Sequence, residues 1–126
     1  MHWNKNKFKV SPPEQRKFNG KTYASKAEMQ YAMFLWDQLN HEDGSIVLII
    51  EQPRVWLGVP ENVYVPDFFV VDKVDGQFFV DVKGMRTPAF NKNVKLWKNY
   101  GMSDLHIVTK KGNKWVKEIV ARPTRI

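Results

Sequence analysis

Apolar residues recur at helical spacing in two segments of the chain, 25–40 and 88–100. Ser25 precedes the first segment as a capping residue. Thr87 followed by Pro88 marks the start of the second, and Gly101 marks its end. The apolar stripes are Ala27, Tyr31, Phe34, Leu35 and Leu39 in the first helix and Phe90, Val94 and Trp97 in the second.

Shorter apolar runs, separated by turn-forming residues, predict strands. A hairpin at 16–23 turns at Asn19-Gly20, the favoured pair for a two-residue turn. The other predicted strands are a buried strand at 46–50, with 55–59 as a candidate continuation beyond a bend at Pro53, and then 63–72, 77–83, 105–109 and 115–120. This order predicts an α/β fold in which helices flank a mixed central sheet.

The length of 126 residues corresponds to one domain, which we assign to 16–126. A basic arm at 1–15 precedes it, and Pro12-Pro13 should stop any regular structure there. The chain has no cysteine, which excludes disulfides, cysteine-based zinc sites and cysteine nucleophiles. No apolar run approaches the roughly 18 residues that cross a bilayer. We therefore expect a cytoplasmic protein.

The charge of the chain indicates a polyanionic partner. Twenty basic and 13 acidic residues give a net charge of +7, and nucleic acid is the commonest partner of such proteins. The positive charge is concentrated at 5–26 and 110–125, whereas the acids gather in the middle of the chain. The alternative is a basic protein whose charges are simply solvated.

Two aspartates and a lysine lie on the predicted strands in the middle of the chain. Because side chains alternate along a strand, Asp81 and Lys83 share one face of the sheet. In an antiparallel pair, opposed residues share a face and their numbers have a constant sum, which is 148 for Asp67 and Asp81. A three-residue loop at 73–75 gives this register. A two-residue Asp75-Gly76 turn would put the aspartates on opposite faces unless a bulge intervened.

A divalent cation would explain why two carboxylates are placed together. Close carboxylates repel each other, burial opposes their ionisation, and Mg²⁺ or Mn²⁺ would relieve both effects. The cation would also lower the pKa of a bound water, which Lys83 could orient. The alternative is a solvated sheet face. The metal site is favoured because Asp67 and Asp81 are embedded in apolar runs, where acids are rare unless paired or metal-bound.

Glu28 has two competing interpretations. Ser25-Lys26-Ala27-Glu28 matches a capping box, in which a glutamate three residues after the cap bonds back to it. At about 100° per residue, Glu28 also lies on the side of the helix that carries Leu35 and Leu39 and faces the sheet. In that orientation Glu28 would supply a third carboxylate to the site. The sequence alone does not distinguish this role from the capping role.

These segments together resemble the PD-(D/E)XK nuclease superfamily, in particular its small phage-encoded members similar to phage endonuclease I and other Holliday-junction resolvases. The likeness covers about 18–108. The segments that carry it are Ser25-x-x-Glu28, Gln52-Pro53, Pro66-Asp67-Phe68 and Asp81-Val82-Lys83-Gly84 with Thr87. The resemblance implies a restriction-endonuclease-like αβββαβ core and a phage-encoded protein that acts inside a bacterial host.

The resemblance also implies roles for individual residues. Asp67, Asp81 and the backbone carbonyl of Val82 would bind the metal. Glu28 would complete the metal's ligands directly or through water, and Lys83 would assist the attacking water. Asp81 stands where many members carry glutamate, which shortens the reach of this carboxylate to the metal.

Weaker signals point to further residues. Lys92 and Lys95 lie on the polar face of the second helix and suit phosphate contacts, although a solvated helix face explains them nearly as well. Thr87 is a helix cap first and a DNA contact second. Gln52 is either an accessory site residue or a strand residue beside a bend. The candidate DNA contacts are Lys21, Lys26, Thr87, Lys92 and Lys95.

The sequence thus predicts a metal-dependent DNA endonuclease, with branched DNA such as Holliday junctions as a candidate substrate. By family analogy, a two-fold homodimer would bring two sites to a junction. One alternative is a nicking or double-strand endonuclease without junction preference. Another is a non-catalytic basic DNA-binding protein, and an RNA substrate is a third.

Overall fold

The computed structural model describes residues 10–124. A 3-10 turn, Pro13–Gln15, comes first, and no helix in the described range is long and apolar enough to cross a membrane. The helices are α1 (Lys26–Asn40) and α2 (Pro88–Tyr100). In chain order the strands are β1 (Lys17–Phe18), β2 (Lys21–Thr22), β3 (Ile46–Glu51), β4 (Val55–Trp56), β5 (Val63–Tyr64), β6 (Phe68–Asp72), β7 (Gly76–Val82), β8 (Asp104–Lys111) and β9 (Lys114–Val120).

Five strands form one open, mixed sheet in the order β3-β6-β7-β8-β9. Neighbouring strands are antiparallel except β7 and β8, which are parallel. A parallel pair needs a crossover connection, and α2 provides it. The predicted α/β class and mixed sheet are confirmed.

The hydrophobic core has two layers because successive residues of β6, β7 and β8 point to opposite faces of the sheet. One layer lies under α1, and its sheet residues include Phe68, Val70, Val80 and Val82. The other lies under α2, and its sheet residues include Phe69, Phe79, Leu105 and Ile107. By this alternation Asp81 shares the α2 face with Phe79, and Val82 lies on the α1 face.

Local sequence signals set the ends of both helices. The Ser25 hydroxyl accepts a hydrogen bond from the Glu28 amide at 3.0 Å, and Thr87 accepts one from the Phe90 amide at 3.1 Å. Gly101 ends α2 but does not adopt the left-handed conformation that is common at helix ends, because its φ is −62°. A Cβ at this position would lie 2.4 Å from Nε1 of Trp97, so the close approach of that indole requires glycine.

The register of β6 and β7 is the one that the site requires. Every opposed pair, from Phe68 and Val80 to Asp72 and Gly76, has residue numbers that sum to 148. The connecting loop is therefore the three-residue loop 73–75. The Asp72 carboxylate accepts hydrogen bonds from the backbone amides of Val74 and Asp75 in this loop, at 2.7 and 3.1 Å. Extending the register by one pair sets Asp67 opposite Asp81, which confirms the predicted odd-length loop.

The prediction of one strand at 63–72 was wrong. β5 ends at Tyr64 and pairs only with β4 in a separate two-stranded sheet, whereas β6 begins at Phe68. Pro66 lies in the gap, and a proline has no amide hydrogen with which to continue a ladder. The candidate continuation at 55–59 is likewise not part of β3, because β4 belongs to this two-stranded ribbon.

The prediction that 46–50 is a buried strand was also wrong. β3 is an edge strand of the sheet, and only Ile46 and Ile49 are buried beneath α1. Its other apolar residues, Val47, Leu48 and Ile50, are between 43% and 47% exposed. A continuous apolar run does not reveal whether both faces of a strand are covered.

The predicted basic arm at 1–15 falls mostly on residues 1–9, which lie outside the described residues. Within the described part, Pro12-Pro13 does not stop all regular structure, because the 3-10 turn begins at Pro13. The fixed φ of proline suits the first position of a helical turn, where no amide donor is needed. The boundary between arm and domain at residue 16 stays a prediction.

Truncation of Phe68 should destabilise the fold strongly. Its side chain is fully buried under α1, and its ring lies 6.0 Å from that of Tyr31. We expect Phe68→Ala to lower the free energy of unfolding by about 3–5 kcal/mol, because a cavity replaces the ring. Guanidinium denaturation measures this change. Val74→Ala, at a residue that is 80% exposed, is the control and should change stability by less than about 0.5 kcal/mol.

Candidate functional site

Three acidic side chains converge from three different elements of the structure. Glu28 is in the first turn of α1, Asp67 immediately precedes β6, and Asp81 is the penultimate residue of β7. The three carboxyl groups are close enough to shift one another's pKa values. The structure therefore brings together the three acids that the sequence predicted.

Two of the three acids are largely removed from water, whereas Asp67 is half-buried. Glu28 is 4% exposed and Asp81 is 2% exposed. Oε2 of Glu28 and Oδ1 of Asp81 are buried and have no hydrogen-bond partner among the described residues. An unsatisfied buried carboxylate oxygen is costly, so Oε2 of Glu28 needs a proton or a cation, while Oδ1 of Asp81 has the Lys83 ammonium at 3.1 Å.

Glu28 makes its side chain available to this cluster. Its backbone amide donates to Ser25, so the forward half of the predicted capping box is present. The Glu28 side chain is buried, and both Asp67 and Asp81 act on its pKa. The other half of the capping box, a bond from the Glu28 carboxylate back to the Ser25 amide, is not found among the described residues, so this carboxylate is left to act at the site.

Burial raises the pKa of each of the three acids above its ordinary value. For Asp67 the pKa rises to about 9, first because of burial and then because of the negative charges of Asp81 and Glu28. The Val82 amide, which donates to Oδ2 of Asp67 at 2.7 Å, only partly opposes this shift. Without a cation, the cluster therefore retains protons at neutral pH.

Lys83 lies beside the acids, as predicted from strand alternation. Its Nζ is 3.1 Å from Oδ1 of Asp81, an ion pair that lacks the alignment of a hydrogen bond. The same ammonium lies 4.7 Å from the ring centroid of Phe90 in α2. The positive charge of Lys83 is the largest opposing effect on the raised pKa of Asp81.

Tyr64 is a site residue that the sequence did not reveal. Its hydroxyl donates a hydrogen bond to Oδ2 of Asp81, and its ring packs edge-on against Trp97 at a centroid distance of 5.9 Å. Burial and the charge of Asp81 raise the pKa of the hydroxyl, which keeps it a donor. Tyr64 belongs to β5, outside the main sheet, so no local pattern indicates this contact.

Glu51 is a second residue that the sequence did not indicate. Its carboxylate accepts hydrogen bonds from Lys21 at 3.0 Å, from the Tyr23 hydroxyl at 3.1 Å and from Nε1 of Trp36 at 3.2 Å. The negative charge of Glu51 contributes to the raised pKa of Glu28, and the positive charge of Lys21 opposes it. The Lys21–Glu51 pair thus lies close enough to act on the cluster.

Gln52 is tied to the site through its backbone. Its side chain is exposed, and its amide donates to the carbonyl of Asp67 at 2.9 Å. The φ of Gln52 is +52°, a left-handed conformation that is uncommon for a residue other than glycine. The hydrogen bond holds the backbone next to the Asp67 side chain, and an accessory role for the amide side chain stays a prediction.

The structure places the remaining predicted residues at the surface or in ion pairs. Lys21 pairs with Glu51 and keeps 34% of its side chain exposed. Val82 is tied to Asp67 through its amide, and metal binding by its carbonyl stays a prediction. The exposed candidate DNA contacts are Lys26, Thr87, Lys92 and Lys95.

The donor set suits a hard divalent cation in its chemistry. Among residues 10–124, no group of three or more His, Cys, Asp or Glu side chains is spaced as a ready-made metal site. The three acids nevertheless offer only oxygen donors, which Mg²⁺ and Mn²⁺ prefer, and two of these oxygens lack hydrogen-bond partners among the described residues.

Comparison with known proteins adds no assignment: no family model, no curated protein and no solved structure matches this chain. Function is therefore inferred from the residues of the site.

The raised pKa of Asp67 predicts how stability depends on pH. An acid whose pKa is higher in the folded state loses its contribution to stability as pH rises from its unfolded value near 4 to its folded value of about 9. Asp67→Asn removes this loss while keeping an acceptor for the Val82 amide. In EDTA, we expect the variant to be more stable than wild type at pH 8 by roughly 1–3 kcal/mol.

The difference should shrink towards zero at pH 4, where both side chains are neutral. Thermal denaturation across pH 4–8 measures it, and Asp37→Asn, at an exposed position of α1, is the matched control. A constant difference between Asp67→Asn and wild type at all pH values would contradict the assigned pKa shift.

Proposed function

We propose that the protein is a metal-dependent endonuclease that hydrolyses DNA phosphodiester bonds. The observation that carries this proposal is the grouping of Glu28, Asp67 and Asp81, whose charges shift one another's pKa values, with the Lys83 ammonium 3.1 Å from Asp81. The net charge of +7 favours a polyanionic substrate in spite of this acidic cluster. The proposed cofactor is Mg²⁺ or Mn²⁺.

Each residue of the cluster would have a distinct role in catalysis. Asp67, Asp81 and Glu28 would hold the cation, directly or through water, with the Val82 carbonyl as a further ligand. A bound cation offsets charge on the phosphodiester and lowers the pKa of a bound water. Lys83, next to Asp81, would orient the attacking water and stabilise charge that develops on the phosphate.

The hydrogen bonds of the site support this division. Tyr64 occupies Oδ2 of Asp81, and the Val82 amide occupies Oδ2 of Asp67. These donors fix the two carboxylates and leave the other oxygen of each free of such a bond. Oε2 of Glu28 is a buried oxygen without a hydrogen-bond partner in the described part of the chain, and Oδ1 of Asp81 is engaged only by the Lys83 ion pair, so both could accept a metal ion.

The proposal extends to the fold. The order α1, β3, β6, β7, α2, β8 agrees with an αβββαβ core in which the acids flank the central pair of strands. We propose that this core is of the restriction-endonuclease type. The added elements are the β1–β2 hairpin, the β4–β5 ribbon and the terminal strand β9.

Nuclease activity should depend on both the cation and the acids. We expect wild type to nick supercoiled plasmid with Mg²⁺ or Mn²⁺ and to lose this activity in EDTA. Asp81→Asn and Asp67→Asn keep the shape of the side chain but remove its charge, and each should lower the rate at least about 100-fold. Asp37→Asn should nick as wild type does.

The same assay separates the rival functions. A non-catalytic DNA-binding protein, which the absence of a ready-made metal site among residues 10–124 would favour, binds the plasmid but never nicks it with either cation. Cleavage of a synthetic four-way junction in preference to a linear duplex of the same sequence would support a resolvase. Equal cleavage of both would support an endonuclease without junction preference, and cleavage of RNA alone would contradict the DNA substrate.

We also propose a two-fold homodimer that forms through β3. This edge strand carries no charge from Ile46 to Ile50 and exposes apolar side chains, whereas the opposite edge, β9, carries Lys114, Lys117 and Glu118. Uncharged apolar edges tend to pair with another strand. A second copy fits this edge because antiparallel pairing of β3 with itself is self-complementary and brings no like charges together.

A charge introduced on this edge should therefore give a monomer. We expect wild type to sediment as a dimer and Leu48→Lys as a monomer, because the substitution places two lysines across the two-fold axis. Ile119→Lys, at another exposed apolar residue, on β9, should remain dimeric. A monomeric wild type would refute the dimer, and a dimeric Leu48→Lys variant would move the interface away from β3.

A further inference from the structure

A cavity of about 230 Å³ adjoins the acidic cluster on the side of Lys83. It lies over the ends of β7 and β8 and the start of β9. The polar residues that line it are Lys83, Arg86, Thr109, Lys111 and Glu118. None of the four that accompany Lys83 belongs to the proposed metal site.

Strand register explains why these side chains meet. β7 and β8 run parallel with Asp81 beside Ile107, and the Lys83 amide donates to the carbonyl of Val108 at 2.8 Å. Alternation from Ile107 puts Thr109 and Lys111 on the same face of the sheet as Asp81. On β9, Glu118 lies beside Ile107 and therefore points to this face too.

α2 leaves this end of the sheet open. The helix packs over Phe79, Leu105 and Val120, towards the other end of the same strands. The segment between β7 and α2 carries Arg86 past the cavity, and its guanidinium lies 6.0 Å from the ring centroid of Phe90. The cavity is thus a recess with a floor of sheet residues and a cationic rim.

Only some of the charged side chains that line the cavity have an ion-pair partner. Lys83 pairs with Asp81, and Arg86 pairs with Glu118 across the rim, where both side chains of the second pair are substantially exposed. Lys111 is in none of the ion pairs found among residues 10–124. Apart from Lys83, which Asp81 neutralises, the two cations Arg86 and Lys111 outnumber the one acid Glu118, so this recess is positive.

We propose that this cavity is a phosphate subsite, which binds a phosphodiester next to the one that is cleaved. The inference rests on the proposed nuclease function. Arg86 would offer paired donors to the phosphate oxygens, Lys111 a point charge and Thr109 a hydroxyl donor. The incoming phosphate takes the place of Glu118 at Arg86, so Glu118 acts as a competing anion in the free protein.

This subsite differs from the surface lysines predicted earlier. Lys92 and Lys95 lie on the exposed face of α2, and Lys21 is held by Glu51. Arg86 and Lys111 instead border a recess on the same sheet face as Asp81. A DNA strand that crosses the acids would meet these two cations next.

Equilibrium binding of a fluorescent DNA duplex in EDTA tests the subsite without catalysis. We expect the Arg86→Ala/Lys111→Ala double variant to bind about 10- to 100-fold more weakly than wild type. The slope of log affinity against log salt should fall by roughly 2, because two phosphate contacts are lost. Lys17→Ala/Lys98→Ala removes two exposed cations outside the cavity and is the matched control.

Glu118→Gln tests the competition in the opposite direction. It should bind DNA several-fold more tightly than wild type, because Arg86 loses its anionic partner. If the Arg86–Glu118 pair were only structural, this variant would lower thermal stability without tightening binding, and the subsite would be wrong.

The outcomes also separate the subsite from the nuclease proposal. If wild type binds and nicks DNA while the double variant binds as tightly as the control, the subsite is refuted and the nuclease function stands. If wild type neither binds nor nicks, both proposals fail. Weak binding by the double variant alone, with tighter binding by Glu118→Gln, supports the subsite.

Discussion

The placement of three carboxyl groups close together, two of them buried, is the constraint on which the candidate site depends. Isolated carboxylates rarely leave water, because the low dielectric of the interior opposes their charge. Here the β6–β7 register sets Asp67 opposite Asp81, and the first turn of α1 adds Glu28. Two well-packed layers, one under each helix, supply the stability that tolerates this unfavourable burial. The acids therefore retain protons or require a cation.

The features of the site that follow local rules could be predicted from the sequence. Strand alternation places Asp81 and Lys83 on one face, and loop length fixes whether Asp67 joins them. Both are geometric consequences of a hairpin, so they need no knowledge of the rest of the fold. The helix caps at Ser25 and Thr87 were predictable for the same reason, since each depends on atoms within one turn.

Contacts between distant segments could not be predicted in this way. Tyr64 reaches Asp81 only because Pro66 ends the β-ladder and lets β5 pair outside the main sheet. Glu51 collects three donors from the hairpin and α1, and none of these contacts leaves a periodic signal. The exposure of β3 could not be predicted from the sequence, because a continuous apolar run is compatible with a central strand and with an edge strand. In each case the deciding fact is which element lies next to which, and that is a property of the whole fold.

A polyanion must approach these acids if the protein cuts DNA, and the shifted pKa values bear on how it does so. Three ionised carboxylates would repel a phosphodiester, but burial and mutual repulsion keep the cluster from carrying its full charge. A bound cation would cancel the charge that remains. Beside the cluster, Arg86 and Lys111 border a positive recess on the same sheet face. Burial and repulsion among the acids, which make them bind protons or metal, thus also lower the electrostatic barrier to a DNA strand that is bound in the adjacent recess. If the protein cuts DNA, this coupling would let a basic protein hold a cluster of carboxyl groups at the position where a phosphate reacts.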